Sequence, residues 1–263
     1  MNNIEKIIIP LMRRAGKIML EAENVEAHGS LSEKGDAANL VTVYDVAVQN
    51  FLLDEIKKAI PEATFIAEEK ENDPSVLEGK YCFIIDPIDG TANFAHGYRH
   101  SCISLALFSR GEAVFSAIYN PYGDELFSAT KGGGAFVNGK KMSVSNRDFA
   151  HSVVAFGTAP YYKKDLGEKT FRLAYELYRQ CSDVRRVGAA ALDLAYLAAG
   201  RNDAFFECVL SPWDIAAGYL LIKEAGGIIT DMEGNEISFA APSSVIAATP
   251  QIYGKLLEVV KSI

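Results

Sequence analysis

The chain has 263 residues, of which 49% are hydrophobic and 23% charged, and its formal net charge is −8. This length suggests one large domain or two fused ones, and the composition excludes a disordered chain while allowing a sizeable core without disulfides. The acidic balance gives no general footprint for nucleic acid or an anionic membrane, and it admits a small anionic substrate only if something offsets the carboxylates near the site.

In chain order, Ile4, Ile7, Ile8, Leu11, Ala15, Ile18 and Met19 recur at helical spacing and predict an amphipathic first helix. Its Ile7-Ile8-Ile9 run is broken by Glu5, Lys6, Pro10, Arg13 and Arg14, so it reads as neither a signal peptide nor a membrane span. Residues 28–39 are polar and read as a loop. From Tyr44, the positions Val48, Phe51, Leu52, Ile56 and Ala59 predict a helix stopped by Pro61, and Thr64 to Ala67 reads as a short strand. Tyr81 to Ile85 is a continuous apolar run that predicts a buried strand ended by a turn at Asp86-Pro87. Segments 102–108, 112–119 and 125–129 read as strands, with a hairpin marked by Gly132-Gly133-Gly134 and Asn138-Gly139.

In the second half, 152–156 reads as a strand, followed by a helix with Phe171, Ala174, Leu177 and Tyr178 on one face. A helix over 189–199 ends at Gly200, Ala204 to Phe206 is a short strand, and a helix from Asp214 to Glu224 ends at Gly226-Gly227. Strands at 228–230 and 245–248 and a final helix complete the chain. With no Pro/Ser-rich linker, the pattern predicts one compact α/β unit over 1–263, with subdomains of approximately 1–145 and 146–263. Cys82, Cys102, Cys181 and Cys208 form no CxxC pair and lie in apolar segments, which points to free thiols in a reducing, cytoplasmic setting.

The stretch richest in chemistry is Ile84 to Phe94, IIDPIDGTANF. Asp86 and Asp89 lie three residues apart beyond a buried strand, where α/β proteins commonly place ligands. Gly90 allows close backbone approach, and a helix starting near Thr91 would add free N–H groups. Carboxylates alone repel phosphate, whereas carboxylates holding Mg²⁺ attract it, so a hard-cation phosphate site is coherent. The alternative is a solvated turn, since Asp, Pro and Gly all form turns. Glu68-Glu69, after an apolar run, and Asp214, after Trp213, offer further carboxylates. Taken singly, the Glu pair also reads as surface charge and Asp214 as a helix cap.

Together these segments resemble the inositol monophosphatase family of Mg²⁺-dependent, lithium-sensitive phosphatases, over nearly the whole chain. Asp86-Pro87-Ile88-Asp89-Gly90-Thr91 with Asn93-Phe94 matches its first signature, and Trp213 to Gly218 running on to Glu224-Ala225-Gly226-Gly227 matches its second. Lys34, Leu40-Val41-Thr42 and Asp45 match an upstream element, Ala67-Glu68-Glu69 stands where Gly-Glu-Glu is usual, and Gly134-Ala135-Phe136 with Asn138-Gly139 matches a hairpin. Departures are Ala67 for Gly, Asn39 for Asp, and Ser211 where animal members carry His.

The resemblance implies a layered α/β/α/β/α sandwich of the sugar-phosphatase type and a homodimer. It implies two or three Mg²⁺ ions: one on Glu68, Asp86 and the Ile88 carbonyl, one on Asp86, Asp89 and Asp214, and a weaker third facing Glu68. Thr91, bonded to Asp45, would orient the attacking water near Glu68, and N–H groups of Gly90 and Thr91 would hold phosphate. Asp89, Gly188, Ala190, Glu207 and Asp214 would meet the substrate, Ala189 lies in the same pocket segment, and a closing loop would carry Lys34. Metal-activated water needs no covalent intermediate, which suits a chain whose His28, His96, His100 and His151 show no ligand spacing and no nucleophilic Ser or Cys partner.

The expected activity is hydrolysis of inositol 1-phosphate, a small phosphorylated polyol. Fructose 1,6-bisphosphate, 3′-phosphoadenosine 5′-phosphate and histidinol phosphate are same-family alternatives, because fold and motif do not choose the substrate. A haloacid-dehalogenase-type phosphatase would need DxDGT near its N-terminus, whereas here the spacing is DxxDGT beginning at residue 86. A non-catalytic regulatory metal-binding protein is the alternative from another class.

Overall fold

The computed structural model describes residues 2–22, 31–33 and 40–263. Lys34 and Asn39, with the rest of 34–39, lie outside the described residues, as do 28–30. The first helix, α1 (Asn2–Leu20), buries Ile8, Leu11, Met12, Ala15 and Met19, while Pro10 sits on its exposed side. Two short strands, β1 (Leu31–Glu33) and β2 (Leu40–Thr42), pair antiparallel and lead into α2 (Val43–Ala59).

The larger sheet has seven strands in sequence order: β3 (Thr64–Ala67), β4 (Cys82–Asp89), β5 (Cys102–Ser109), β6 (Glu112–Asn120), β7 (Glu125–Thr130), β8 (Gly134–Val137) and β9 (Lys140–Met142). Only β3 and β4 pair parallel among these neighbours; the rest are antiparallel. A short helix, α3 (Thr91–Ala95), follows β4 directly. The second sheet has five strands in the order β11 (Asp183–Arg185), β10 (Val153–Phe156), β12 (Ala204–Leu210), β14 (Ser243–Ala248) and β13 (Ile228–Thr230).

Strand alternation divides the core into layers. Phe83, Ile85 and Leu105 face α1 and α2, whereas Cys82, Ile84 and Ala106 face α5 (Ala190–Ala198) and α6 (Pro212–Glu224). On the other side of those helices, Phe205, Val245 and Ala247 complete the same cluster. Phe206, Ile246 and Ala248 point away from it, toward α4 (Lys163–Tyr178) and α7 (Pro250–Lys261). The result is the layered α/β/α/β/α sandwich, with α5 and α6 between the sheets. Every residue of β4 is buried, which explains the unbroken apolar run Cys82–Ile85 of its first half: a strand covered on both faces needs no alternation. The four cysteines are free, and no described helix is long and apolar enough to cross a membrane.

Three expectations need correction. The expected turn at Asp86-Pro87 is strand: β4 continues to Asp89. Its pairing with β5 shifts between Asp86↔Ser104 and Asp89↔Cys102, leaving one extra residue on β4. Pro87 lies in that bulge, where its missing N–H removes no ladder bond. On α4 the buried stripe is Thr170, Leu173, Ala174 and Leu177; Phe171 and Tyr178 are exposed, so the helix is rotated from the expected face. Aromatic content misdirected that reading, because the i, i+3, i+4, i+7 set beginning at Thr170 wins the core. Finally, β12 continues past Phe206 to Leu210, which places Glu207 within a strand on the same side as Phe205.

Candidate active site

Six pieces of chain, with Pro242, converge on one cavity of about 210 Å³: the end of β3, the β4 bulge with α3, the 157–162 segment after β10, the 186–190 segment entering α5, the second half of β12, and the start of α6. Glu68, Asp86, Ile88, Asp89, Gly90, Thr91, Gly188, Ala190, Glu207 and Asp214 all line it. Asp45 lies just behind, joined through Thr91.

The bulge aims Asp86 and Asp89 into the cavity, and α6 brings Asp214 to meet them. Carboxylate oxygens of Asp86, Asp89 and Asp214 all lie within 4.8 Å of one another. Glu68 lines the cavity but falls outside that group of three. Its charge is still felt: burial, then Glu68, Asp89 and Asp214, push the Asp86 carboxyl well above its usual range. Burial, then Asp89 and Glu68, do the same to Asp214. Asp89 is pushed up to about 6 by burial, against the opposing pull of N–H donors from Ala191 at 2.8 Å and Ala190 at 3.2 Å.

Both readings of Asp214 find a basis in its geometry. Its Oδ2 accepts the Ser211 N–H at 2.7 Å, so it does cap α6, while its carboxylate also joins the cluster. The helix is fixed at both ends. Ser104 Oγ donates to the Trp213 carbonyl at 3.2 Å, and the Glu224 carboxylate accepts the Gly132 and Gly134 N–H groups at 2.7 and 2.8 Å.

Gly90 has φ +83°, and a Cβ there would lie 3.1 Å from each of Ala189 Cβ, Gly188 O and His100 O. The turn from β4 to α3 therefore needs glycine twice over, for its dihedrals and for its closeness to the facing loop. Asn93 fixes that closeness, donating from Nδ2 to the His100 carbonyl at 2.7 Å and the Val187 carbonyl at 2.9 Å.

Thr91 Oγ1 lies 3.1 Å from Asp45 Oδ1 and 3.0 Å from the Ile88 carbonyl. The hydroxyl has one proton to give, and its lone pairs remain available toward the cavity. Asp45 is fully buried at the third position of α2, where its Oδ2 accepts the Thr42 N–H at 2.8 Å. Burial raises its pKa to about 6 against the lowering effect of the Thr42 and Thr91 bonds. Sequence reading placed Thr91 beside the Asp86 and Asp89 pair as a helix start, but linked it to Asp45 only through the family motif; the capping box at Thr42 is the local signal that fixes Asp45.

Glu207 is buried and its pKa is pushed up to about 7, mainly by burial, with the Ala159 N–H donating to Oε1 at 2.8 Å. It occupies the space over Gly157, where a Cβ would come within 1.8 Å of Glu207 Oε2. Sequence reading missed Gly157, Tyr161, Arg186 and Asp193, which also line the cavity. No periodicity marks them, and only the topology brings them to Glu207. The described histidines, His96, His100 and His151, do not line it, and His28 lies outside the described residues.

The oxygen-only set of Asp86, Asp89 and Asp214, with Glu68 nearby, fits a hard divalent cation such as Mg²⁺. Such a cluster is costly without positive charge, and Arg186 is the one cationic side chain among the described residues lining the cavity. Cys102 does not supply a soft ligand: burial, then Asp89 and Asp86, hold its thiol protonated.

The fold is thus a layered α/β/α/β/α sandwich with one acidic cavity whose oxygen donors fit a hard divalent cation. Family comparison is direct: the inositol monophosphatase family model matches residues 1–263, and the chain belongs to that family. It is 37% identical over 263 residues to "Nus factor SuhB" of Escherichia coli (strain K12), covering 98% of this chain and 95% of that protein. Among solved structures, it resembles the Thermotoga maritima IMPase with a TM-score of 0.87 at 32% identity, covering 100% of this chain and 98% of the other. It also resembles an IMPase/NADP phosphatase complexed with Mg²⁺ and phosphate, with a TM-score of 0.85 at 26% identity, covering 98% and 95% of the two chains.

Proposed function

We propose that this protein is a Mg²⁺-dependent phosphomonoesterase acting on small polyol phosphates, with inositol 1-phosphate as the first substrate. The observation that carries the reading is the meeting of the Asp86, Asp89 and Asp214 carboxylates at the wall of a cavity also lined by Glu207 and by Thr91, which is bonded to Asp45 behind it. Glu68, Asp86 and the Ile88 carbonyl would hold one ion, and Asp86, Asp89 and Asp214 a second, with Glu68 facing a weaker third. Bound there, a divalent cation supplies the positive charge that draws in phosphate and lowers the pKa of water.

The chain's own groups do the rest. Thr91 donates its hydroxyl proton to Asp45 and so turns a lone pair toward the attacking water, which it orients together with Glu68. N–H groups of Gly90 and Thr91 bind the phosphate oxygens where α3 begins. Gly188, Ala190 and Glu207 bind the polyol. The buried setting keeps these bonds strong by excluding bulk water. The protein works in the cytoplasm as a homodimer, and lithium competes for its Mg²⁺ sites.

Asp45, Glu68, Thr91 and the three clustered aspartates are all retained, which favours catalysis over a purely regulatory role. A second reading rests on the relative named as a Nus factor, similar over 98% of this chain: a protein-binding role in transcription, alongside or instead of catalysis. Phosphate release with Mg²⁺ from inositol 1-phosphate, fructose 1,6-bisphosphate, 3′-phosphoadenosine 5′-phosphate and histidinol phosphate separates the readings. Release from one compound about 10²-fold better in kcat/KM assigns the substrate. No release from any, by folded protein that binds Mg²⁺, rejects the proposed substrates and favours the regulatory reading.

A further inference from the structure

Asp193 sits in the first turn of α5 and is only 3% exposed. Among the described residues, no hydrogen bond or ion pair is made by its carboxylate. The N–H groups at the start of α5 would be its natural partners, but those of Ala190 and Ala191 are taken by Asp89. Asp193 lines the same cavity as Asp89, Glu207 and Arg186. Burial, then the charges of Asp89 and Glu207, push its pKa well above the usual range, while Arg186 pulls the other way.

The Asp193 oxygens are not among the described buried polar atoms that are sealed off without a partner; they are open to the cavity, where water or a ligand supplies the donor that the protein does not. We infer that Asp193 is a second polyol-recognising carboxyl of the active site, which accepts a hydrogen bond from a substrate hydroxyl remote from the phosphate. Glu207 provides the neighbouring acceptor. Two adjacent carboxyl groups suit a hydroxyl-rich, otherwise uncharged body, and they disfavour a second phosphate, since Arg186 offsets only one of them. The site is therefore selective for polyol monophosphates over bisphosphates and over aryl phosphates, which offer no hydroxyl at that distance.

The inference rests on the phosphomonoesterase reading and specifies the substrate body of that same site. Its test compares wild type, Asp193→Asn and Asp193→Leu on inositol 1-phosphate and phenyl phosphate, with Mg²⁺ activation curves and melting temperatures for each. Leucine has a similar shape and removes both the charge and the acceptor. The expected result is a fall of about 10-fold or more in the ratio of kcat/KM values, inositol 1-phosphate over phenyl phosphate, in Asp193→Leu, with a smaller fall in Asp193→Asn. The melting temperature and the Mg²⁺ activation curve stay at wild-type level or better. A ratio within 2-fold of wild type, or parallel losses on both substrates with a lower melting temperature, overturns the inference. Wild-type protein that cleaves phenyl phosphate but not inositol 1-phosphate overturns it while leaving the phosphatase reading intact. Wild-type release from neither compound overturns that reading and the inference together.

Discussion

Replacing Glu207 by Gln should stabilise the metal-free protein, and only where the carboxyl is ionised. Glu207 is pushed from 4.5 to about 7, chiefly by burial. The folded protein therefore keeps a proton that the unfolded chain releases, and stability is lost as pH rises. The contribution is fully present below about pH 4.5 and gone above about pH 7. The difference between 4.5 and about 7 corresponds to ~3 kcal/mol. Gln keeps the side-chain shape and the Oε1 acceptor for the Ala159 N–H, yet has no proton to lose. The stability gap between variant and wild type should open from about zero at pH 4.5 to ~3 kcal/mol at pH 8, roughly 6–10 °C in Tm for a chain of this size. Urea denaturation in the presence of a chelator, at both pH values, measures it. A gap that is the same at pH 4.5 and pH 8, or a variant less stable than wild type at pH 8, refutes the reasoning.

Three further predictions use the same site. Gly157→Ala places a methyl where Glu207 now sits, so it should cost ~1–3 kcal/mol and raise KM for inositol 1-phosphate more than for phenyl phosphate, read by denaturation and steady-state kinetics. Asp86→Asn should leave the far-ultraviolet circular dichroism unchanged and lower Mg²⁺-dependent phosphate release by roughly 10³-fold, because it removes charge from the centre of the cluster. Because Asp86, Asp89 and Asp214 all have raised pKa values in the metal-free protein, Mg²⁺ must displace protons at low pH. Its thermal stabilisation should therefore grow from pH 5 to pH 8, and equal shifts at both would count against metal binding by these groups.

The layers were legible because each buried strand and amphipathic helix carries its own period, as in α1 and β4. The site was legible mainly because Asp86, Asp89 and Asp214 stand in ordered motifs whose spacing matches a known family. Local chemistry alone left Asp214 open between helix cap and metal ligand, and the structure shows why: one carboxylate caps α6 and also faces Asp86 and Asp89. The bulge at Pro87 escaped sequence reading because Asp-Pro is a common turn signal, and only pairing with β5 carries the strand through it. Gly157, Arg186 and Asp193 were invisible for a different reason. Their contribution comes from three elements meeting around Glu207, an arrangement no local pattern encodes.

The most direct test is phosphate release from inositol 1-phosphate by the purified protein with Mg²⁺, with Asp86→Asn as the blank. The account predicts release by wild type that ceases on chelation and is nearly absent in the variant. Equal release by Asp86→Asn, or none from folded wild type that binds Mg²⁺, would contradict it.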